Sequence, residues 1–101
     1  MSSYIKGRRF EYLVRDLFKK NGFIAIRAAR SMPVDLVCLR DGESIFIECK
    51  FRKSEFGKEK KKGLLNLADI AGARPILAYM HERKIHLMDA QTNNSLSIED
   101  I

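Results

Sequence analysis

Apolar residues recur along this chain with two different periods, and the switches between them mark out the elements. Phe10, Leu13, Val14, Leu17 and Phe18 repeat at i, i+3, i+4, i+7 and i+8, the buried stripe of a helix. Ser2 or Ser3 can cap that helix, and Asn21-Gly22 ends it after about Lys20. Residues 23–28 then read as a strand, and residues 29–33 as a loop in which Pro33 biases Met32 to an extended conformation. Residues 34–40 and 44–51 are two further strands, and the Asp41-Gly42 pair between them signals a type I′ hairpin turn. Residues 52–57 are polar and irregular, with Phe56 as their apolar anchor. A second helix runs from near Lys58 to Gly72, with Leu64, Leu67, Ala68 and Ala71 as its buried stripe. Residues 75–80 are almost continuously apolar, which predicts a strand covered on both faces. His81-Glu82-Arg83 turns the chain into a strand over 84–88, with Ile85 and Leu87 inward. Residues 89–95 are polar and turn-like, and 96–101 form an edge strand or a frayed tail. The order α-β-β-β-α-β-β over residues 1–101 predicts one α/β domain, a central mixed sheet of about five strands flanked by helices.

The hairpin turn also sets a register. With Asp41-Gly42 as the loop, Arg40 faces Glu43, Leu39 faces Ser44, and the same ladder brings Asp35 opposite Glu48. Opposed residues on one sheet face have Cβ atoms roughly 4.5–5.5 Å apart, so two carboxylates there repel unless a cation joins them. Lys50, two residues beyond Glu48, points to the same face. Paired carboxylate oxygens suit a hard divalent cation such as Mg²⁺, which keeps waters and phosphate oxygens as its other ligands. Such an ion polarises a phosphoryl oxygen and activates water, while a neighbouring lysine orients that water or stabilises developing charge. The main-chain carbonyl of Cys49 is a candidate further oxygen ligand. Two exposed acids on an edge hairpin are the plainer reading of the same residues; the opposed register, the shared face and the surrounding cations favour the metal site. Glu11 borders the apolar stripe of the first helix, placed either to reach the sheet or to pair with Arg8 or Arg15 on the helix surface.

Composition sets the surroundings. Hydrophobic residues make up 46% of the 101, enough for a folded core of modest depth. No apolar run approaches a bilayer span and no signal-peptide pattern is present, so a cytoplasmic protein without membrane association is expected. Nineteen Lys and Arg against thirteen acids give a net charge of +6, which favours a polyanionic partner. Twelve of those cations lie in the first 53 residues and four more at 58–62, while 85–101 has none. Charge is thus concentrated around the acidic pair. Cys38 and Cys49 lie too far apart on the ladder for a disulfide and read as small buried side chains in a reducing compartment. His81 and His86 have no zinc-ligand spacing to either of them.

With these residues in view, the chain resembles the archaeal Holliday junction resolvases of the PD-(D/E)xK nuclease superfamily. The resemblance covers about residues 6 to 89. It rests on Lys6-Gly7, Phe10-Glu11, Asn21-Gly22-Phe23, Ile26-Arg27, Val34-Asp35-Leu36-Val37, Ile47-Glu48-Cys49-Lys50, Gly63-Leu64-Leu65 and Arg74-Pro75-Ile76-Leu77-Ala78. It implies a restriction-endonuclease-like fold, with Asp35 and Glu48 as metal ligands, Lys50 as the catalytic lysine and Glu11 completing the site. It places Arg27 and Ser31 near the scissile phosphate or in a catalytic loop. Tyr12 stands where many members carry an arginine, with Arg8, Arg9 or Arg15 as substitutes. Further DNA contacts are expected from Arg30, Arg52 and Lys53, and from Lys58, Lys60, Lys61 and Lys62. The expected activity is Mg²⁺-dependent cleavage of four-way junctions, with Mn²⁺ as a possible substitute and no organic cofactor. Paired incisions in branched double-stranded DNA call for a homodimer, with Leu64, Leu65, Ile76 and the C-terminal apolar residues as candidate contacts. The alternatives are another nuclease of the superfamily, restriction-like or flap-cleaving, and a non-catalytic DNA-binding module of the same fold.

Overall fold

The computed structural model describes residues 3–28 and 33–101. Helix α1 (Ser3–Lys20) leads into strands β1 (Ile24–Arg27), β2 (Leu36–Arg40) and β3 (Glu43–Cys49). Helix α2 (Lys58–Ala71) follows, and then β4 (Arg74–His81), β5 (Lys84–Asp89) and β6 (Ser95–Leu96). The strands lie in chain order in one sheet, antiparallel everywhere except between β3 and β4. That parallel step is the one that needs a helical crossover, and α2 supplies it.

Local chemistry sets the boundaries. Asp41 and Gly42 both have positive φ, 51° and 80°, as the type I′ turn requires, and the β2–β3 ladder runs from Arg40↔Glu43 to Leu36↔Ile47 as expected. The first helix stops where Gly22 takes φ 88°, and Phe23 folds back to donate to the Phe18 carbonyl at 3.0 Å. Gly72, at φ 67°, caps α2 in the same left-handed conformation.

Two apolar layers sandwich the sheet. On one side α1 buries Phe10, Val14 and Phe18 against Leu36, Cys38, Ile45, Ile47 and Cys49. On the other, α2 buries Leu64 with Val34, Leu77, Tyr79 and Met88, and Ala68 of the same helix is also buried. Both helical stripes are narrower than the periodicity suggests. Leu13 is 49% exposed and Leu67 38%, and Ala71 is also exposed. The reason is coverage: α1 packs over β1, β2 and β3, and α2 over β3 and β4, so residues at the edge of each stripe overhang the contact. Leu64 and Ile76, expected as subunit contacts, lie fully inside the core, and so are not available to a partner.

The C-terminal residues also depart from expectation. Ser95-Leu96 adds a sixth strand against Met88 and Leu87, and residues Ile98–Asp100 form a 3-10 turn that delivers Ile101 into the core rather than a frayed tail. Arg40 fastens this end: it donates to the carbonyls of Asn21 and Ile101, and its guanidinium lies 3.9 Å from the Phe23 ring centre. The segment after β3 is likewise ordered, as a 3-10 turn over Lys53–Glu55 with Phe56 edge-on to Tyr79. Among the described residues no helix is long and apolar enough to cross a membrane.

Candidate functional site

The site grows from the open end of the β2–β3 hairpin. Just before β2, Asp35 donates its N–H to the Ile47 carbonyl at 2.8 Å and accepts from Ala28 N–H at 2.9 Å, so the sheet extends to it on both sides. Its carboxylate accepts the Cys49 N–H at 2.7 Å, a side chain taking the place of a main-chain partner. Glu48 follows Ile47, the last residue of the regular β2–β3 ladder, and Asp35 departs from that register by one residue in bonding Ile47. Glu48 is only 2% exposed, the one buried charged side chain among the described residues. Its Oε1 has no hydrogen-bond partner.

An acid in that position is in electrostatic conflict. Burial pushes the Asp35 carboxyl up to about 6, and the charge of Glu11 adds to this, while the Cys49 N–H, Lys50 and Lys60 act the other way. Glu48 is also raised, first by burial and then by the charge of Asp35, against the pull of Lys50 and Lys60. A buried acceptor without a partner is costly, and a buried pair of like charges more so. A hard cation between them would relieve both, so the donor set fits a divalent metal. The other carboxylate of interest, Glu11, is held by Arg27, whose Nη2 donates to it at 3.3 Å. Of the two expected placements this is the one toward the sheet, because β1 runs beneath α1 and brings Arg27 up to Glu11. Among the described residues no three His, Cys, Asp or Glu side chains form a ready metal cage. The acids share a field without enclosing a ligand sphere.

The crossover helix supplies part of that field. Gly63 lets α2 approach Pro33: a Cβ there would lie 3.3 Å from the proline ring, tighter than ordinary contact. The first turns of α2 are thereby drawn beside the entry to β2, and the charge of Lys60 is felt by both acids. The other basic candidates spread out. Lys61 turns to Asn93, and Lys53 lies 5.7 Å from the Tyr79 ring centre. Lys58 and Lys62 are exposed on α2, Arg8 and Arg9 on α1, and Arg52 in the turn after the site. Arg15 pairs with Asp16 at 3.0 Å. Lys50 extends the parallel ladder by donating its N–H to the Ala78 carbonyl at 3.0 Å. Arg30 and Ser31 lie outside the described residues. Cys38 and Cys49 are free and buried; burial pushes the Cys38 thiol up to about 12 and Cys49 well above its usual range. Both thiols are therefore inert, and Cys49 meets the site through its main chain.

Two layers of helix on a mixed sheet, with an acid pair and a lysine at the end of its central hairpin, define a nuclease-like α/β domain. The family model described as archaeal Holliday junction resolvase (hjc) matches residues 2–100, and the chain belongs to that family. It is 41% identical over 78 residues to the crossover junction endodeoxyribonuclease Hjc of Methanocaldococcus jannaschii, covering 74% of this chain and 59% of that protein. The match thus spans about three-fifths of the curated relative's length. The 1.6 Å resolution structure of Archaeoglobus fulgidus Hjc, a Holliday junction resolvase from an archaeal hyperthermophile, superposes with a TM-score of 0.75 at 30% identity. That similarity covers 85% of this chain and 74% of the other, and makes the fold the restriction-endonuclease-like one.

Proposed function

We propose that this chain is a divalent-cation-dependent endonuclease that cuts four-way DNA junctions. The observation that carries the reading is Glu48, buried to 2% exposure with an unpartnered carboxylate oxygen, in the field of Asp35, Lys50 and Lys60. Asp35 and Glu48 would hold the ion, with the Cys49 carbonyl as a further oxygen and Glu11 as a supporting acid. Mg²⁺ is the ion of choice and Mn²⁺ its substitute. When bound, the ion supplies Lewis-acid polarisation of a phosphoryl oxygen and a more acidic water. The protein's own part is to hold the two acids in register across the hairpin and keep Lys50 fixed by the β3–β4 ladder. There the ammonium orients the attacking water and stabilises charge gathering on the phosphate.

The cations of α1, α2 and the turn after Lys50 bind the DNA backbone, so recognition rests on charge and branched shape, and affinity falls steeply with salt. Two matched incisions in a symmetric junction call for a two-fold homodimer. The test is cleavage of a synthetic junction, a flap, a linear duplex and a single strand, with and without Mg²⁺, by wild type and Asp35→Asn. We expect junction cleavage that needs the ion and vanishes in the variant. Equal activity of the two proteins would remove the site assignment. A junction preference below about tenfold, 1.4 kcal/mol, would move the chain to another nuclease class, and binding without turnover in either Mg²⁺ or Mn²⁺ would leave a DNA-binding module.

A further inference from the structure

Tyr12 follows Glu11 on α1 and belongs to neither apolar core. Its ring instead gathers two cations: the guanidinium carbons of Arg15 and Arg27 each lie 4.8 Å from the ring centre. Arg15 comes from the next turn of the same helix, and Arg27 from the last residue of β1. Guanidinium groups are attracted to an aromatic face, and the face restricts where they can go. Their mutual repulsion is eased by Asp16 on Arg15 and Glu11 on Arg27, at 3.0 and 3.3 Å.

This arrangement leaves donors unused. Arg27 gives Nη2 to Glu11, and its Nε is buried out of a phosphate's reach. Arg15 gives both Nε and Nη2 to Asp16, so the Nη1 amines of the two guanidinium groups are the donors left for a phosphate, whose oxygens a planar guanidinium matches. The position is close to the acids. Arg27 pairs with Leu36 across the β1–β2 ladder, directly after Asp35 in the chain.

We propose that Tyr12 is a positioning residue, whose ring holds Arg27 and Arg15 as a clamp for one phosphate of the DNA strand beside the cut. The inference rests on the nuclease reading above and names the part of that site that grips the backbone. Charge alone does not make such a clamp: the ring turns two mobile side chains into one preorganised anion site.

The test compares wild type, Tyr12→Leu and Tyr12→Phe in metal-free junction binding and in Mg²⁺-dependent cleavage, with thermal midpoints measured for each. Tyr12→Leu should weaken binding about tenfold, raise KM more than it lowers kcat, and flatten the slope of log affinity against log salt by about one phosphate contact. Tyr12→Phe, which keeps the ring, should rescue what Tyr12→Leu loses. A loss of equal size in Tyr12→Phe would overturn the clamp, because the hydroxyl would then carry the effect. So would a Tyr12→Leu protein that binds within twofold of wild type. Arg15→Gln guards against a simple folding defect: it should weaken binding in wild type and add nothing in the Tyr12→Leu background, whereas losses that multiply refute the clamp. Failure of wild type to cut any branched substrate counts against the nuclease reading, and the binding arm still decides the clamp.

Discussion

The two faces of the sheet are built from the same strands and behave differently. Under α1, alternate residues of β2 and β3 give Leu36, Cys38, Ile45 and Ile47, all apolar and almost fully buried with Phe10, Val14 and Phe18. The intervening residues face α2, and there the cover is partial. It reaches β3 and β4, leaves Ile24 and Ile26 of β1 62% and 51% exposed, and closes over Glu48 without giving Oε1 a partner. Strand alternation thus separates stability from chemistry at a spacing of one residue. The first face is locally satisfied. The second carries a buried acid whose Oε1 has no partner.

Substitutions on the two faces should therefore have opposite signatures. Glu48→Gln should lower cleavage by about two to three orders of magnitude while leaving the metal-free thermal midpoint equal or higher. Phe18→Ala should cost about 3–5 kcal/mol of stability with cleavage per folded molecule kept. Chemical denaturation alongside single-turnover cleavage reads both. A Glu48→Gln protein destabilised as much as Phe18→Ala would end the contrast.

A smaller effect should appear with pH. Asp35 is raised from 3.8 to about 6 and Glu48 is raised as well, so the folded, metal-free protein holds more protons than the unfolded chain across that window. Stability from these groups is full below pH 3.8 and is lost as pH rises through about 6. The midpoint of wild type relative to Asp35→Asn should accordingly fall over this range in chelator, and added Mg²⁺ should recover it at neutral pH. A difference that stays flat with pH would show that the acids are not in conflict. Smallest of all should be Ile24→Thr and Ile26→Thr on the uncovered flank, each within about 0.5 kcal/mol by denaturant titration. A larger loss would mean that this flank is covered in solution.

Much of this contrast is legible in the sequence itself. Asp41-Gly42 sets the β2–β3 register by turn chemistry alone, and the ladder follows it from Arg40↔Glu43 to Leu36↔Ile47, the step before the acids. Gly22 and Gly72 marked the helix ends because left-handed backbone favours glycine there. What could not be read depends on distant neighbours. Helical period told which way Leu13 and Leu67 point, not how far the opposing sheet extends beneath them. The depth of Glu48 follows from the parallel pairing of β3 with β4 under α2, a contact between remote segments. The Glu11–Arg27 pair crosses from helix to strand, where no local spacing rule applies. Ser95-Leu96 has little strand character of its own and is extended because β5 offers it an edge.

The single parallel step in the sheet has a bearing on how the molecule assembles. The hairpin that opposes the two acids closes through a tight local turn, whereas β3 meets β4 only after the intervening helix has folded back, a far slower kind of closure. Repulsion between the acids therefore precedes the roof that buries one of them, and it acts on the refolding chain before the fold is complete.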